Sequence, residues 1–203
     1  MLLKRGAEAE IRKTVFLGRP AVEKARVPKA YRLERLDDDL RRTRIRSEAK
    51  LMGEARAAGV SVPILYDIDL AENRIVMEFV DGRTVKEVLD AGGPEAHRIA
   101  REVGRIAGRL HRAGIVHGDL TTSNMIVRDH RVVMIDFSLG GKDSSAEGRG
   151  VDMHLLREAL TSSHAKALAY FRDVVSGYRE ILGIAAGATI AKVKDIEARG
   201  RYA

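Results

Sequence analysis

The run His117-Gly118-Asp119-Leu120-Thr121-Thr122-Ser123-Asn124 sets a carboxylate and a carboxamide five residues apart, and Ile135-Asp136-Phe137 begins eleven residues further on. An Asp at the end of a loop can accept or orient the proton of an attacking hydroxyl. Asn and Asp carry the hard oxygens that Mg²⁺ prefers. Together the three suit phosphoryl transfer, a reaction that needs positioning and charge neutralisation more than covalent help. Asp119 is the candidate base, and Asn124 and Asp136 are candidate metal ligands. Taken singly, Asp119 and Asn124 read more readily as turn residues. A turn does not require the joint spacing with Asp136-Phe137, and the whole set favours the chemical reading.

A site that handles phosphates also needs a cation. Lys24 sits in a strand-like run, where an ordinary exposed lysine would be common. Glu48 raises its interest, because positions 45, 48, 52 and 55 share a helical face and read Ile, Glu, Met and Ala. A carboxylate inside an apolar stripe needs a partner, since burying it alone is costly. Lys24 is the expected partner; local pairing of Glu48 with Arg44 or Arg41 is the competing reading.

Several elements must position these groups. Strand-like runs cover 11–17, 20–27 and 75–80, the first two separated by Gly18-Arg19. A helix is expected over about 37–58, with Asp37-Asp38-Asp39 at its positive end and Gly59 after its last turn. Another follows over about 94–113, closed by Gly114, and two short strands, 124–127 and 132–135, flank a polar turn. Residues 140–150 read as a Gly-rich loop, and helices are expected over roughly 151–162, 164–182 and 187–199. Strands gather early and helices late, which argues for an α+β fold rather than a repeating βαβ sheet. A boundary at Asp81-Gly82 divides the chain into a first part, 1–80, and a second, 81–203.

Composition narrows the classes. With 45% apolar and 32% charged residues, a globular chain is expected rather than a disordered one. There is no Cys, so disulfides and thiolate metal sites are excluded. The six His show no metal-ligand spacing. The start lacks the apolar run of a signal peptide, and no stretch has the length of a membrane span, so a cytoplasmic protein without membrane partners is expected. A net charge of +7 suggests an anionic partner without saying which. Residues 24–50 hold ten Lys or Arg against five Asp or Glu, which reads either as contacts to nucleic-acid phosphates or, more commonly, as a solvated helix face.

The loop around Asp119, with Asp136-Phe137 behind it, resembles the catalytic and metal-binding motifs of protein kinases, and Ala21-Val22-Glu23-Lys24 resembles their V-A-I-K strand. The chain further resembles the small atypical kinase/ATPase subunit of the KEOPS complex. This likeness rests on Gly6-Ala7-Glu8-Ala9, on Lys24-Ala25-Arg26-Val27-Pro28-Lys29-Ala30-Tyr31-Arg32, on Arg46-Ser47-Glu48-Ala49-Lys50 and on Leu120-Thr121-Thr122-Ser123-Asn124. It implies a two-lobed protein-kinase-like fold: an antiparallel-sheet N-lobe with a helix, over a reduced helical C-lobe. It also implies Mg²⁺ and ATP as cofactors and a role in forming threonylcarbamoyladenosine in tRNA, with serine/threonine autophosphorylation and ATP hydrolysis as activities. The implied partners are the threonylcarbamoyltransferase subunit at the C-lobe and a small regulatory subunit at the N-lobe, with direct contact to tRNA left open.

By the same likeness, adenine would lie along Ile75 to Val80 beside Met77 and bond the Glu78 carbonyl and the Val80 amide. Gly6, Ala7, Glu8 and Ala9 would cover the phosphates, although the usual G-x-G-x-x-G is missing. Two further departures bear on the likeness. Ser138 stands where D-F-G has Gly, and the chain ends Arg201-Tyr202-Ala203 without the family's more basic tail, which suggests a weaker tRNA contact. No A-P-E motif follows Asp136, so a platform for long peptide substrates is not expected. Asp152 either braces the catalytic loop or caps a helix. The alternatives to the KEOPS reading are an independent kinase, of the RIO class or of the small-molecule type, and a non-catalytic scaffold on the same fold.

Overall fold

A computed structural model describes residues 1–6 and 8–200. Ala7 and the Arg201-Tyr202-Ala203 end therefore lie outside the described residues. Five strands form one antiparallel sheet: β1 (Leu2–Arg5), β2 (Ala9–Phe16), β3 (Arg19–Arg26), β4 (Leu65–Asp69) and β5 (Arg74–Glu78), in the order β1-β2-β3-β5-β4. β2 and β3 are joined by Leu17 and Gly18, both at positive φ (47° and 78°). That is a type I′ hairpin, whose twist suits the strands it joins. The turn is thus one residue earlier than Gly18-Arg19, and Arg19 already belongs to β3.

Between β3 and β4 runs α1 (Glu34–Ala57). It starts three residues before the expected Asp37. Asp37 lies in its first turn, where a negative charge suits the helix dipole, but its side chain is also buried and accepts from Arg32 and Arg41 and from the Lys29 amide. Ile45, Glu48, Met52 and Ala55 form the buried face of α1.

The rest of the chain is mostly helical. β6 (Arg83–Thr84) leads into α2 (Val85–Ala91), then come α3 (Gly93–Arg112), β7 (Ile115–Val116) and a 3₁₀ turn at Thr122–Asn124. β8 (Met125–Arg128) and β9 (Arg131–Met134) form a hairpin to which β6 adds a third strand. β10 (Gly141–Lys142) pairs back onto β7, so that Gly141 faces Val116. The chain ends with α4 (Ala146–Ser163), α5 (Ala167–Leu182) and α6 (Ala186–Gly200).

The expected Gly-rich loop is shorter than 140–150, because α4 begins at Ala146 with the Ser145 hydroxyl accepting from the Gly148 amide (3.0 Å). Gly148 and Gly150 are packing residues inside that helix: a Cβ at Gly150 would stand 2.4 Å from Lys192 Cγ. α3 and α5 approach through glycines as well. A Cβ at Gly104 would lie 1.9 Å from the Val174 carbonyl oxygen, and one at Gly177 would lie 1.9 Å from that of Arg101. Among the described residues no helix is long and apolar enough to cross a membrane.

Candidate active site

Strand alternation places Lys24. Val22, Lys24 and Arg26 share one face of β3, with Lys24 opposite Ile11 on β2 and Ile75 on β5. Behind this face lies α1 with Glu48. The Lys24 ammonium donates to Glu48 Oε1 (2.6 Å), to Asp136 Oδ1 (2.6 Å) and to Ser138 Oγ (2.7 Å). The competing partners of Glu48 are engaged elsewhere: Arg41 holds Asp37, and Arg44 holds Glu8. The second cation on Glu48 is Arg26, whose Nη2 donates to Oε2 at 2.9 Å.

Asp136 sits just after β9 at a φ of 63°, in the left-handed region that a short polar side chain tolerates best after Gly. Burial pushes its carboxyl up, but the Lys24 charge and the hydrogen bonds from Lys24 and Ser138 outweigh that and hold it at about 2. The group is therefore an anion at neutral pH. The Ser138 hydroxyl donates to Asp136 Oδ1 (2.5 Å). The residue that departs from D-F-G thus ties the anion and the lysine together.

The loop bearing Asp119 is held from beneath. Asp152, buried inside α4 rather than capping it, accepts from the His117 amide (2.6 Å) and the Gly118 amide (2.8 Å). Its carboxylate also meets His111 Nε2 (3.2 Å), whose Nδ1 meets the Tyr178 hydroxyl (2.8 Å). Gly118 has a φ of +75°, and a Cβ there would stand 2.1 Å from the Leu139 carbonyl oxygen, so only glycine fits. His117 is fully buried, and burial lowers its pKa so that it stays neutral. It carries its proton on Nε2 and donates it to the Ile135 carbonyl (3.1 Å). Asn124 turns its Nδ2 onto Asp119, donating to the backbone oxygen (3.0 Å) and to Oδ2 (2.7 Å).

Two cavities meet at Lys24 and Asp136. One of about 240 Å³ is lined by Val22, Met77, Glu78, Val80, Asn124 and Ile126, among others. It has the apolar walls and the strand edge that a flat base needs. The Glu78 carboxylate accepts from the Ile64 amide and from Arg128, so that side chain belongs to the frame of the cavity. The other, about 210 Å³, is lined by Gly6, Glu8, Ala9, Arg26, Arg44 and Asp119. It has the cations and the glycine that phosphates need. The structure thus gathers every described candidate around one continuous cleft.

Arg26 and the Ser138 hydroxyl were not among the candidates. The signal for Arg26 was its position two residues from Lys24, which puts both on one face of a strand. Arg44 entered only as a rival for Glu48; its place on the phosphate-side wall had no sequence signal.

The residues fit a magnesium ion carried by phosphates. Among the described residues neither Asn124 Oδ1 nor Asp136 Oδ2 has a hydrogen-bond partner, which leaves two hard oxygens in the cleft. No group of three or more His, Cys, Asp or Glu among the described residues could hold a metal. Mg²⁺ commonly takes one or two carboxylates and completes its shell with substrate phosphates and water.

Residues 21–140 match the RIO domain family. The chain is 43% identical over 210 residues to the KEOPS complex subunit Bud32 of Pyrococcus abyssi, covering 99% of this chain and 96% of that protein. It is 40% identical over 200 residues to a probable serine/threonine-protein kinase BUD32 homolog of Archaeoglobus fulgidus, covering 97% and 94%. A probable bifunctional tRNA threonylcarbamoyladenosine biosynthesis protein of Methanobrevibacter smithii is 40% identical over 202 residues. There the match takes in 99% of this chain but only 36% of the longer relative. Among solved structures, the Rio2 kinase of Chaetomium thermophilum, in its ADP/Mg²⁺-phosphoaspartate complex, superposes with a TM-score of 0.67 at 16% identity. The superposition covers 98% of this chain and 70% of that one, and it shows a shared protein-kinase-like fold.

Proposed function

Since the chain belongs to the RIO-domain family, and within it to the Bud32 group, we propose that it is a Mg-ATP-dependent serine/threonine phosphotransferase and ATPase. We place its work in a KEOPS complex that supports threonylcarbamoyladenosine formation in tRNA. One observation supports the chemistry above the rest: the Lys24 ammonium joins the α1 carboxylate Glu48 to the Asp136 carboxylate inside a cleft with an apolar and a cationic half.

In this reading the base lies between Val22, Met77 and Ile126, and the Glu78 carbonyl and Val80 amide take its polar edge. Lys24 neutralises the phosphates and is oriented by Glu48. Asn124 and Asp136 hold Mg²⁺, which supplies charge neutralisation on the phosphates. Asp119 takes the proton from the attacking oxygen, of a Ser or Thr hydroxyl or of water, as the new P–O bond forms and the bond to the ADP oxygen breaks. Asn124 Nδ2 keeps the Asp119 carboxylate in place for that step. The two lobes are residues 1–80 and 81–203, and the proposed partners are the threonylcarbamoyltransferase subunit at the second and a small regulatory subunit at the first. A cytoplasmic location follows from the tRNA-modifying role.

The test is ATP turnover. Wild-type protein should bind Mg-ATP, and addition of the transferase partner and tRNA should stimulate hydrolysis. Asp119→Ala and Asp136→Ala should lose turnover by at least ~100-fold while keeping the circular dichroism of the fold. Wild-type rates in both variants would remove the assignment. Turnover that ignores partner and tRNA would favour an independent kinase of the same family.

A further inference from the structure

A third concavity, of about 370 Å³, is walled by α3, by β9 and by the chain just after α1, and it shares no lining residue with the two halves of the cleft. Its polar wall consists of Arg98, Arg105 and Arg109 from α3, His130 and Arg131 from the β8–β9 hairpin, and Glu102 as the only carboxylate lining it. Glu102 is shared, accepting from Arg105 Nη1 and from Arg109 Nη1 at 3.1 Å each. Arg105 is further fixed by Glu180 on α5 (2.7 Å). These two guanidiniums are thereby held in fixed orientations. Arg98 donates to the His130 carbonyl (3.2 Å), and its nearest carboxylate is Glu95 on the rim at 3.8 Å. The Arg131 side chain has no hydrogen bond or ion pair among the described residues, its backbone being paired with Arg128. The lining therefore carries four arginines and one carboxylate; Glu180 and Glu95 from outside it also meet Arg105 and Arg98, so Arg131 and, in part, Arg98 are the guanidiniums left to a ligand.

Guanidinium forks match phosphate oxygens in geometry as well as charge. Along α3 the arginines run from position 98 to 109, about 16 Å at the helical rise. That is longer than a single phosphate group, so the complementary ligand is an extended polyanion. The wall has no Phe, Tyr or Trp on which a base could stack, so contact would be with the backbone and not with sequence. We propose that this arginine-lined groove binds the phosphodiester backbone of RNA, on a face separate from the nucleotide cleft. The choice of RNA over an acidic protein rests on the tRNA role proposed above and on the net charge of +7.

Fluorescence anisotropy of the full chain with an in vitro transcribed tRNA, over roughly 50 to 300 mM KCl, tests this. The exposed pair is reversed in Arg98→Glu/Arg131→Glu. A control, Lys86→Glu/Arg172→Glu, makes the same net charge change at exposed sites on α2 and α5. The groove variant should lose tRNA affinity by about tenfold or more near 100 mM salt, and its salt slope should fall by about two. The control should lose less than about threefold, and both variants should bind Mg-ATP like wild type. Equal losses in the two variants would overturn the proposal. So would a wild type that does not bind tRNA, or a groove variant that keeps its tRNA affinity while losing an acidic protein partner. Failure of the kinase reading shows separately, as a wild type that does not bind Mg-ATP.

Discussion

Replacing Glu48 by Gln leaves the shape of the side chain and removes its charge. Glu48 is 1% exposed, and the two cations that meet it, Lys24 and Arg26, are 6% and 3% exposed as side chains. Removing one partner from a buried ion pair costs about 3–5 kcal/mol, because the charge left behind stays out of water unpaired. Lys24 keeps Asp136 at 2.6 Å, so it is not abandoned. Arg26 is, since Glu48 is its only carboxylate among the described residues, and its Nε is already buried without a partner. The low end, about 3 kcal/mol, is therefore expected. In a chain of this size that lowers the melting temperature by roughly 6–12 °C. Urea unfolding followed by circular dichroism reads the same loss as a lower midpoint at constant slope. Adding Arg26→Met removes the orphaned charge, and Glu48→Gln/Arg26→Met should regain about 2 kcal/mol of the loss. A loss below about 1 kcal/mol in the single variant, or no regain in the double, would refute the reasoning.

Two further outcomes are expected. In metal-free protein Asp136 is held at about 2, below its ordinary value, so its ionised form contributes stability that is present above about pH 4 and is lost as pH falls toward 2. With its side chain 30% exposed, roughly 1–2 kcal/mol is the expected size. The stability gap between wild type and Asp136→Asn in EDTA should be flat above about pH 5 and shrink on acidification; a constant gap down to pH 2 would contradict this. Gly104→Ala puts a methyl group where the Val174 carbonyl oxygen stands 1.9 Å away, so α3 and α5 must separate. A destabilisation of about 2 kcal/mol or more is expected in the same urea assay, whereas Gly187→Ala, with open space around it, should change little.

The site was legible where spacing is enforced by regular structure. Lys24 and Glu48 could be paired from sequence because one follows a strand alternation and the other a helical stripe, and a carboxylate in an apolar stripe needs a counter-charge. Arg26 follows the same alternation but hid within a stretch crowded with arginines, where a solvated face was the commoner reading. The helix over 85–91 was missed because Asp81-Gly82 signalled a turn, yet Thr84 and Glu87 form a capping box that announced it. β1 carries little strand signal, because its four residues hold only the apolar pair Leu2-Leu3. α4 begins earlier than the sequence suggests, because Gly148 and Gly150 look like loop residues although they lie inside the helix. Gly150 makes room for the side chain of Lys192 on α6, which no local pattern reveals, and Gly148 makes room for that of Asp143 just before the helix. What the Ser138 hydroxyl does depends on a lysine 114 residues away, which no local pattern shows.

The two-residue ladder between β7 and β10 carries a consequence for control. It fastens the segment beyond Asp136 to the strand that precedes His117, and the Lys24–Glu48 contact is closed at the same time. Many kinases keep one of these two parts loose in the resting state and set it by modifying that segment. Here both parts are fixed in one structure, so neither the segment beyond Asp136 nor the α1 carboxylate has to move for the Lys24 contacts to form.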